Sequence, residues 1–281
     1  MHRFAFLLLL AIPASAQEPV ELKLKFTKGQ TWKMELSADM SGSGGDATKE
    51  AGVGRPLVKS GWSLKEAWTD LCEADAEGQP TAVKRTWTSA KVSLARQGGE
   101  AAGQEGAVAK LEAKPKEAAC VVTVAKGKLP APVEDMLAKG PIEALTLLLP
   151  AGPMKPNEEW KIAKAQICQF HRLMAAGLVG GLFTSNMDGL LKDMKNGGAT
   201  GHGCEVSAKI TEVTKTDATI EFAGLVADGS GKVEIKGTLK WVVTKGRPSE
   251  LSWSAMREVM ANDELGTKTW KEEWKFTKSW K

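Results

Sequence analysis

The stretch Thr267–Lys281 reads TKTWKEEWKFTKSWK, and its aromatic spacing leaves little choice of local structure. With a period of two, Trp270, Trp274, Phe276 and Trp280 share a face with Glu272 and Lys278. The opposite face is Lys271, Glu273, Lys275, Thr277, Ser279 and Lys281. On a helix the same four rings would spread over an arc of roughly 160°. An antiparallel strand with one packed face and one wet face accounts for both the tryptophans and the lysines.

The alternation recurs along the chain. Leu22, Leu24 and Phe26 share a face, a turn follows at Lys28 and Gly29, and Trp32, Met34 and Leu36 share the next. Trp62, Leu64 and Trp68 repeat the pattern, as do the segments 120–126, 218–227, 232–243 and 249–260. Turn signals such as DGSG (228–231) and KGRP (245–248) separate them at hairpin spacing. The expected fold is mainly β within the α+β class: a curved antiparallel meander, half-barrel or barrel, with a few short apolar helices over one face or mouth. The Gly- and Ala-rich stretches 41–54 and 97–107 hold too little apolar surface to pack and read as long hairpin tips.

Two segments change period. Residues 132–150 open with proline and acids and predict two short helices broken at Gly140–Pro141. Residues 169–198 predict an apolar helical insertion weakened by Gly177, Gly180 and Gly181, with a second short helix around Met187 to Met194.

The amino terminus carries Arg3, an apolar run from Phe4 to Ile12, and Ala14-Ser15-Ala16, the pattern of a secretory leader spanning residues 1–16. That run is too short to cross a bilayer. The expectation is a single exported β-rich domain over 17–281, periplasmic or extracellular. KGQTWKMEL (28–36) echoes KPNEEWKIAK (155–164), so the domain divides into candidate pseudo-repeat halves, 20–150 and 155–281. Losing Arg3 with the leader lowers the formal charge from +4 to about +3. Lysines and acids alternate without forming the basic stripe that nucleic-acid binding requires.

An exported chain with four cysteines favours disulfides, and pairing within each half gives Cys72 with Cys120 and Cys168 with Cys204. Cys168, His171, His202 and Cys204 also compose a tetrahedral zinc set, or a copper set if Met174, Met187 and Met194 join it. Free thiols are the third reading. No nucleophile elbow, phosphate loop or zinc-protease histidine pair is legible, so neither catalysis nor a cofactor is expected.

A leader, a meander of long strands with tryptophans on one face, and a few apolar helices together resemble the periplasmic half-barrel proteins typified by the outer-membrane lipoprotein carrier. Lys28, Gly29 and Trp32 approximate the K-x-G-x-x-W opening strand of other secreted bacterial β-rich proteins. The resemblance implies a concave sheet that binds acyl chains under a helical lid. The expected ligand is a lipid or a hydrophobic protein segment, against Trp62, Trp68, Trp270, Trp274, Phe276 and Trp280, with Leu178 and Phe183 from the insertion. Peripheral association with the cell envelope would follow. Ten tryptophans beside seven phenylalanines and no tyrosine serve equally as plain core. Metal handling through Cys168, His171, His202 and Cys204, or a structural interaction module of the envelope, are the alternatives.

Overall fold

The computed structural model describes residues 18–46, 58–94, 100–101, 104–114, 117, 119–174, 204–228, 231–263 and 266–281. Twelve strands form one sheet. They are β1 (Thr31–Asp46), β2 (Val58–Ala76), β3 (Gln79–Leu94), β4 (Glu100–Ala101), β5 (Val108–Ala113), β6 (Cys120–Lys126), β7 (Glu159–Ile162), β8 (Cys204–Val213), β9 (Asp217–Asp228), β10 (Gly231–Val242), β11 (Arg247–Asp263) and β12 (Gly266–Trp280). Their order is β6-β5-β3-β2-β1-β12-β11-β10-β9-β8-β7, with the two-residue β4 beside β3. Every described pairing is antiparallel. The sheet is curved and open, ending at β6 on one side and β7 on the other, so the barrel alternative gives way to the open one.

Side chains fix the register because a slip of one residue would turn every inward group outward. At the seam where β1 meets β2 and β12, the inward residues stack in layers. Trp68, Met34 and Trp280 form one layer, Glu66, Leu36 and Lys278 the next, and Leu64, Ala38 and Phe276 the third. All nine are buried. The outward phase of the same strands, including Glu35, Asp39, Lys65, Lys271 and Lys275, is exposed. Alternate lysines therefore solvate one face while the rings remove apolar area from water on the other, at about 25 cal/mol per Å².

Three short helical elements cover the inner face. Helix α1 (Ala131–Ala138) starts at a proline-rich entry with Glu134 in its first turn. It stops before Gly140 and Pro141, as expected. A single 3-10 turn, Ala144–Leu147, follows. Helix α2 (Lys164–Met174) begins five residues earlier than the sequence suggests, because Gln166 Oε1 accepts the Ala163 N–H at 3.0 Å and caps its first turn. Ile167, Phe170 and Met174 form its buried stripe. Gly237 leaves room for the Trp253 indole directly across from it, and that ring packs on Phe170 at 5.0 Å and Phe222 at 5.5 Å.

Residues 20–26 run extended with Val20, Leu22, Leu24 and Phe26 buried, but outside the sheet. Their backbone instead bridges loop ends: Lys25 N–H donates to Gly246 O and Phe26 N–H to Gly78 O, both at 2.8 Å. Gly78 closes the β2–β3 hairpin together with Glu77, at φ of 79° and 52°, the two positive angles of a type I′ turn.

Three expectations are corrected. Residues 41–46 belong to β1 instead of a loop tip, since Ser41–Asp46 pair with Lys268–Glu273 of the neighbouring strand. Within 97–107, Gln104 and Ala107 are buried. The Cys72–Cys120 disulfide is excluded, because β3 and β5 lie between β2 and β6. Three inter-strand steps of about 4.8 Å separate the two backbones by about 14 Å, whereas a bridge needs Cα atoms within about 7 Å. Both thiols are free and buried, Cys120 Sγ lying 3.1 Å from Gly140 O.

Candidate functional site

Where an aromatic face carries charged residues in its inward phase, burial forces each charge to find a partner or change protonation. Five such residues, with the neutral Gln104, converge between β2, β3, β12 and the covering helical layer: Glu66, Asp70, Arg85, Glu143 and Lys278, all buried.

Two ion pairs organise the group. Arg85 donates from Nε to Asp70 Oδ1 at 2.8 Å and from Nη2 to Asp70 Oδ2 at 2.7 Å, a bidentate clamp between neighbouring strands. Its guanidinium stands 5.0 Å from the Trp68 ring centre and 5.7 Å from that of Trp87. Burial disfavours the Arg85 cation, but Asp70, Glu143 and Glu66 together hold its pKa above the ordinary value. The second pair joins the helical layer to the sheet. Lys278 Nζ donates to both oxygens of Glu143 at 2.8 and 2.9 Å, and Trp280 Nε1 donates to Oε2 at 3.2 Å. Glu143 also caps the Ala144–Leu147 turn by accepting the Leu145 N–H at 3.1 Å. Burial alone would raise the Glu143 pKa, but Lys278 and the surrounding donors bring it below the ordinary value.

Glu66 is the fifth ionisable group and has no counter-ion of its own. Gln104 Nε2 donates to its Oε1. Burial raises its pKa to about 7, with Arg85 opposing that rise. A cavity of about 60 Å³ lies against these groups, bounded by Glu66, Arg85, Gln104 and Lys278 on the polar side. Trp68, Trp87 and Leu36 of the sheet, Val133 and Leu137 of α1, the 141–144 segment, and Leu173 and Met174 of α2 form the rest of its wall. A second, larger concavity of about 830 Å³ opens to solvent between residues 21–24, the 146–154 turn and β7. Its wall combines leucines, Met154 and Trp160 with Glu21, Lys23 and Lys161.

Of the expected ligand-contacting residues, Trp68, Trp274, Phe276 and Trp280 all point inward and are buried. Only Trp68 among them borders the cavity. The side chains of Trp62 and Trp270 and the whole of Leu178 and Phe183 lie outside the described residues. So do the side chains of Cys168, His171 and Cys204, and His202 entirely. Among the described residues no group of three or more metal-ligating side chains occurs. The residues missed are Glu66, Asp70, Arg85, Gln104, Glu143 and Lys278 as a cluster. A signal was present for the four on strands, Glu66, Asp70, Arg85 and Lys278, since each occupies the apolar phase of its strand.

No protein-family model matches the chain, and no curated protein matches it. Among solved structures, one described as lipid-protein interactions in lipovitellin aligns with a TM-score of 0.45 at 7% identity, covering 90% of this chain and 25% of that one. A likeness so distant carries no inference about function.

Proposed function

We propose that this is a non-catalytic exported protein that binds an apolar ligand on the inner face of its open sheet. The observation that carries the reading is the cavity at the foot of the helical layer, where an otherwise apolar inner face meets buried polar groups. Ligand sites combine mostly apolar walls with a few convergent polar groups in this way. The cavity alone is large enough for a head group and not for a whole lipid. The leader pattern ending at Ala16 is what supports export.

The test has two parts. Protein purified natively from its exported compartment is extracted and the extract read by mass spectrometry for amphiphiles. Delipidated protein is then titrated with a fluorescent long-chain fatty acid. An amphiphile in the extract or saturable binding of the probe supports the reading. An empty extract together with no probe binding refutes it and leaves a purely structural module.

A further inference from the structure

Arg85 has five N–H donors, of which Nε and Nη2 are engaged by Asp70 and Nη2 also approaches Ile142 O at 3.5 Å. Nη1 meets no acceptor among the described residues. Glu66 accepts Gln104 at Oε1, and its Oε2 likewise has no partner among them. Both side chains are more than nine-tenths buried, and both border the same cavity. We propose that this cavity is the subsite for the carboxyl head of an acyl ligand, which accepts a hydrogen bond from Arg85 Nη1 and shares one proton with Glu66. The proposal rests on the apolar-ligand reading above and narrows it to one head-group chemistry.

Charge balance selects the carboxyl. Asp70 neutralises Arg85 and Glu143 neutralises Lys278, leaving Glu66 as the only uncompensated titrating group. The charged and polar groups sharing its cavity are Arg85 on β3, Gln104 from the turn before β5 and Lys278 on β12, with Asp70 on its own strand and Glu143 from the helical layer as the partners of Arg85 and Lys278. Helices α1 and α2 contribute Val133, Leu137, Leu173 and Met174 to the wall. An ammonium head would face the unmatched N–H of Arg85. A phosphate would bring two charges to a place with no net positive charge. A carboxylate accepts from Arg85 and from the protonated form of Glu66, and two carboxyl groups in contact hold one proton between them. Glu66 retains its proton up to about pH 7. Below that pH the ligand carboxylate binds without proton uptake. Above it, binding must take up one proton, so affinity falls about tenfold per pH unit.

The experiment titrates delipidated protein with a long-chain fatty acid and with the alcohol of equal chain length between pH 5.5 and 8.5, using the native chain and Glu66→Gln. The expected result is a fatty-acid affinity that is level below about pH 7 and falls about tenfold per unit above it in the native chain. In Glu66→Gln it stays level, and the alcohol is level in both proteins. An acid affinity that ignores pH, or that falls equally in Glu66→Gln, overturns the head-group assignment while alcohol binding keeps the apolar-ligand reading. Failure of both amphiphiles to bind overturns the two together. Should Glu66→Gln not fold, carbon-13 NMR of carboxyl-labelled fatty acid on the native protein decides. A bound carboxyl that titrates as it does in water refutes the shared proton, and one that titrates in two displaced steps supports it.

Discussion

Replacing Lys278 by methionine keeps an unbranched apolar stem one atom shorter and removes the charge that faces Glu143. The Glu143 and Lys278 side chains are 2% and 6% exposed, so the carboxylate left behind has almost no access to water. Removing one partner of a buried ion pair costs about 3–5 kcal/mol. The lower end applies here, because Glu143 keeps the N–H groups of Leu145 and Trp280. Lys278→Met should therefore lose about 3 kcal/mol in urea unfolding followed by tryptophan fluorescence at pH 7. Adding Glu143→Gln neutralises the stranded charge and leaves one acceptor for those N–H groups, so the double variant should regain about 2 kcal/mol. The pH dependence has a definite sign. Glu143 has a lowered folded pKa, so its contribution is present above the unfolded value, near 4.5, and disappears as pH falls through the folded one. Lys278→Met should flatten that acid-side loss. A cost below about 1 kcal/mol for the single variant, or additive effects in the double, would show that the pair does not anchor the helical layer.

Further outcomes can be checked on the same protein. Glu66 has a folded pKa of about 7 against an ordinary 4.5, so the native chain should lose about 3 kcal/mol relative to Glu66→Gln between pH 4.5 and 7, and the two stability curves should run parallel above pH 7. Parallel curves throughout would place Glu66 in water. A β-carbon at Gly237 would come within 2.8 Å of the Trp253 ring, so Gly237→Val should displace that indole and lower stability by about 1–3 kcal/mol, read as a shifted fluorescence maximum and urea midpoint. Cys72 and Cys120 should react with a thiol reagent only after unfolding, and a non-reduced peptide map should contain no link between them. Finding that link would contradict the strand order.

Much of the sheet was legible because its physics is local. Segments 218–227 and 232–243 alternate in composition and bury the same alternate residues, and the break at Gly140–Pro141 is a property of those two residues. Three features were hidden for reasons that are not local. Gly42 and Gly44 carry no apolar signal, yet extend β1 because β12 and β2 supply partners on both sides, and Gly45 follows on β12 alone. The disulfide expectation compared positions along the chain, while feasibility depends on how many strands separate the cysteines in the sheet. The ionic cluster was the subtlest case. Lys278 could be placed on the tryptophan face from sequence, but its partner Glu143 is 135 residues away in a segment whose position over the sheet no periodicity reveals.

The two ion pairs and the lone carboxyl also differ in what they do for the fold. A helical layer with only apolar contacts could sit on an apolar sheet in several registers of similar energy. Glu143 removes that freedom, because one carboxylate caps the 3-10 turn and meets both Lys278 and Trp280. Moving the layer by two residues along β12 would set Glu143 against Phe276, with its charge unpaired. Asp70 and Arg85 act similarly between β2 and β3, where the register shifts at Ala67/Trp68. Glu66 performs no such service: it joins no helix to the sheet, pairs with no cation, and folding it away destabilises the chain at neutral pH by raising its pKa. Packing explains the other buried charges. Under the proposed head-group subsite the cost of burying Glu66 is offset when a ligand carboxyl enters its cavity, and Glu66→Gln separates the two effects, since it should stabilise the fold while removing the pH response of binding.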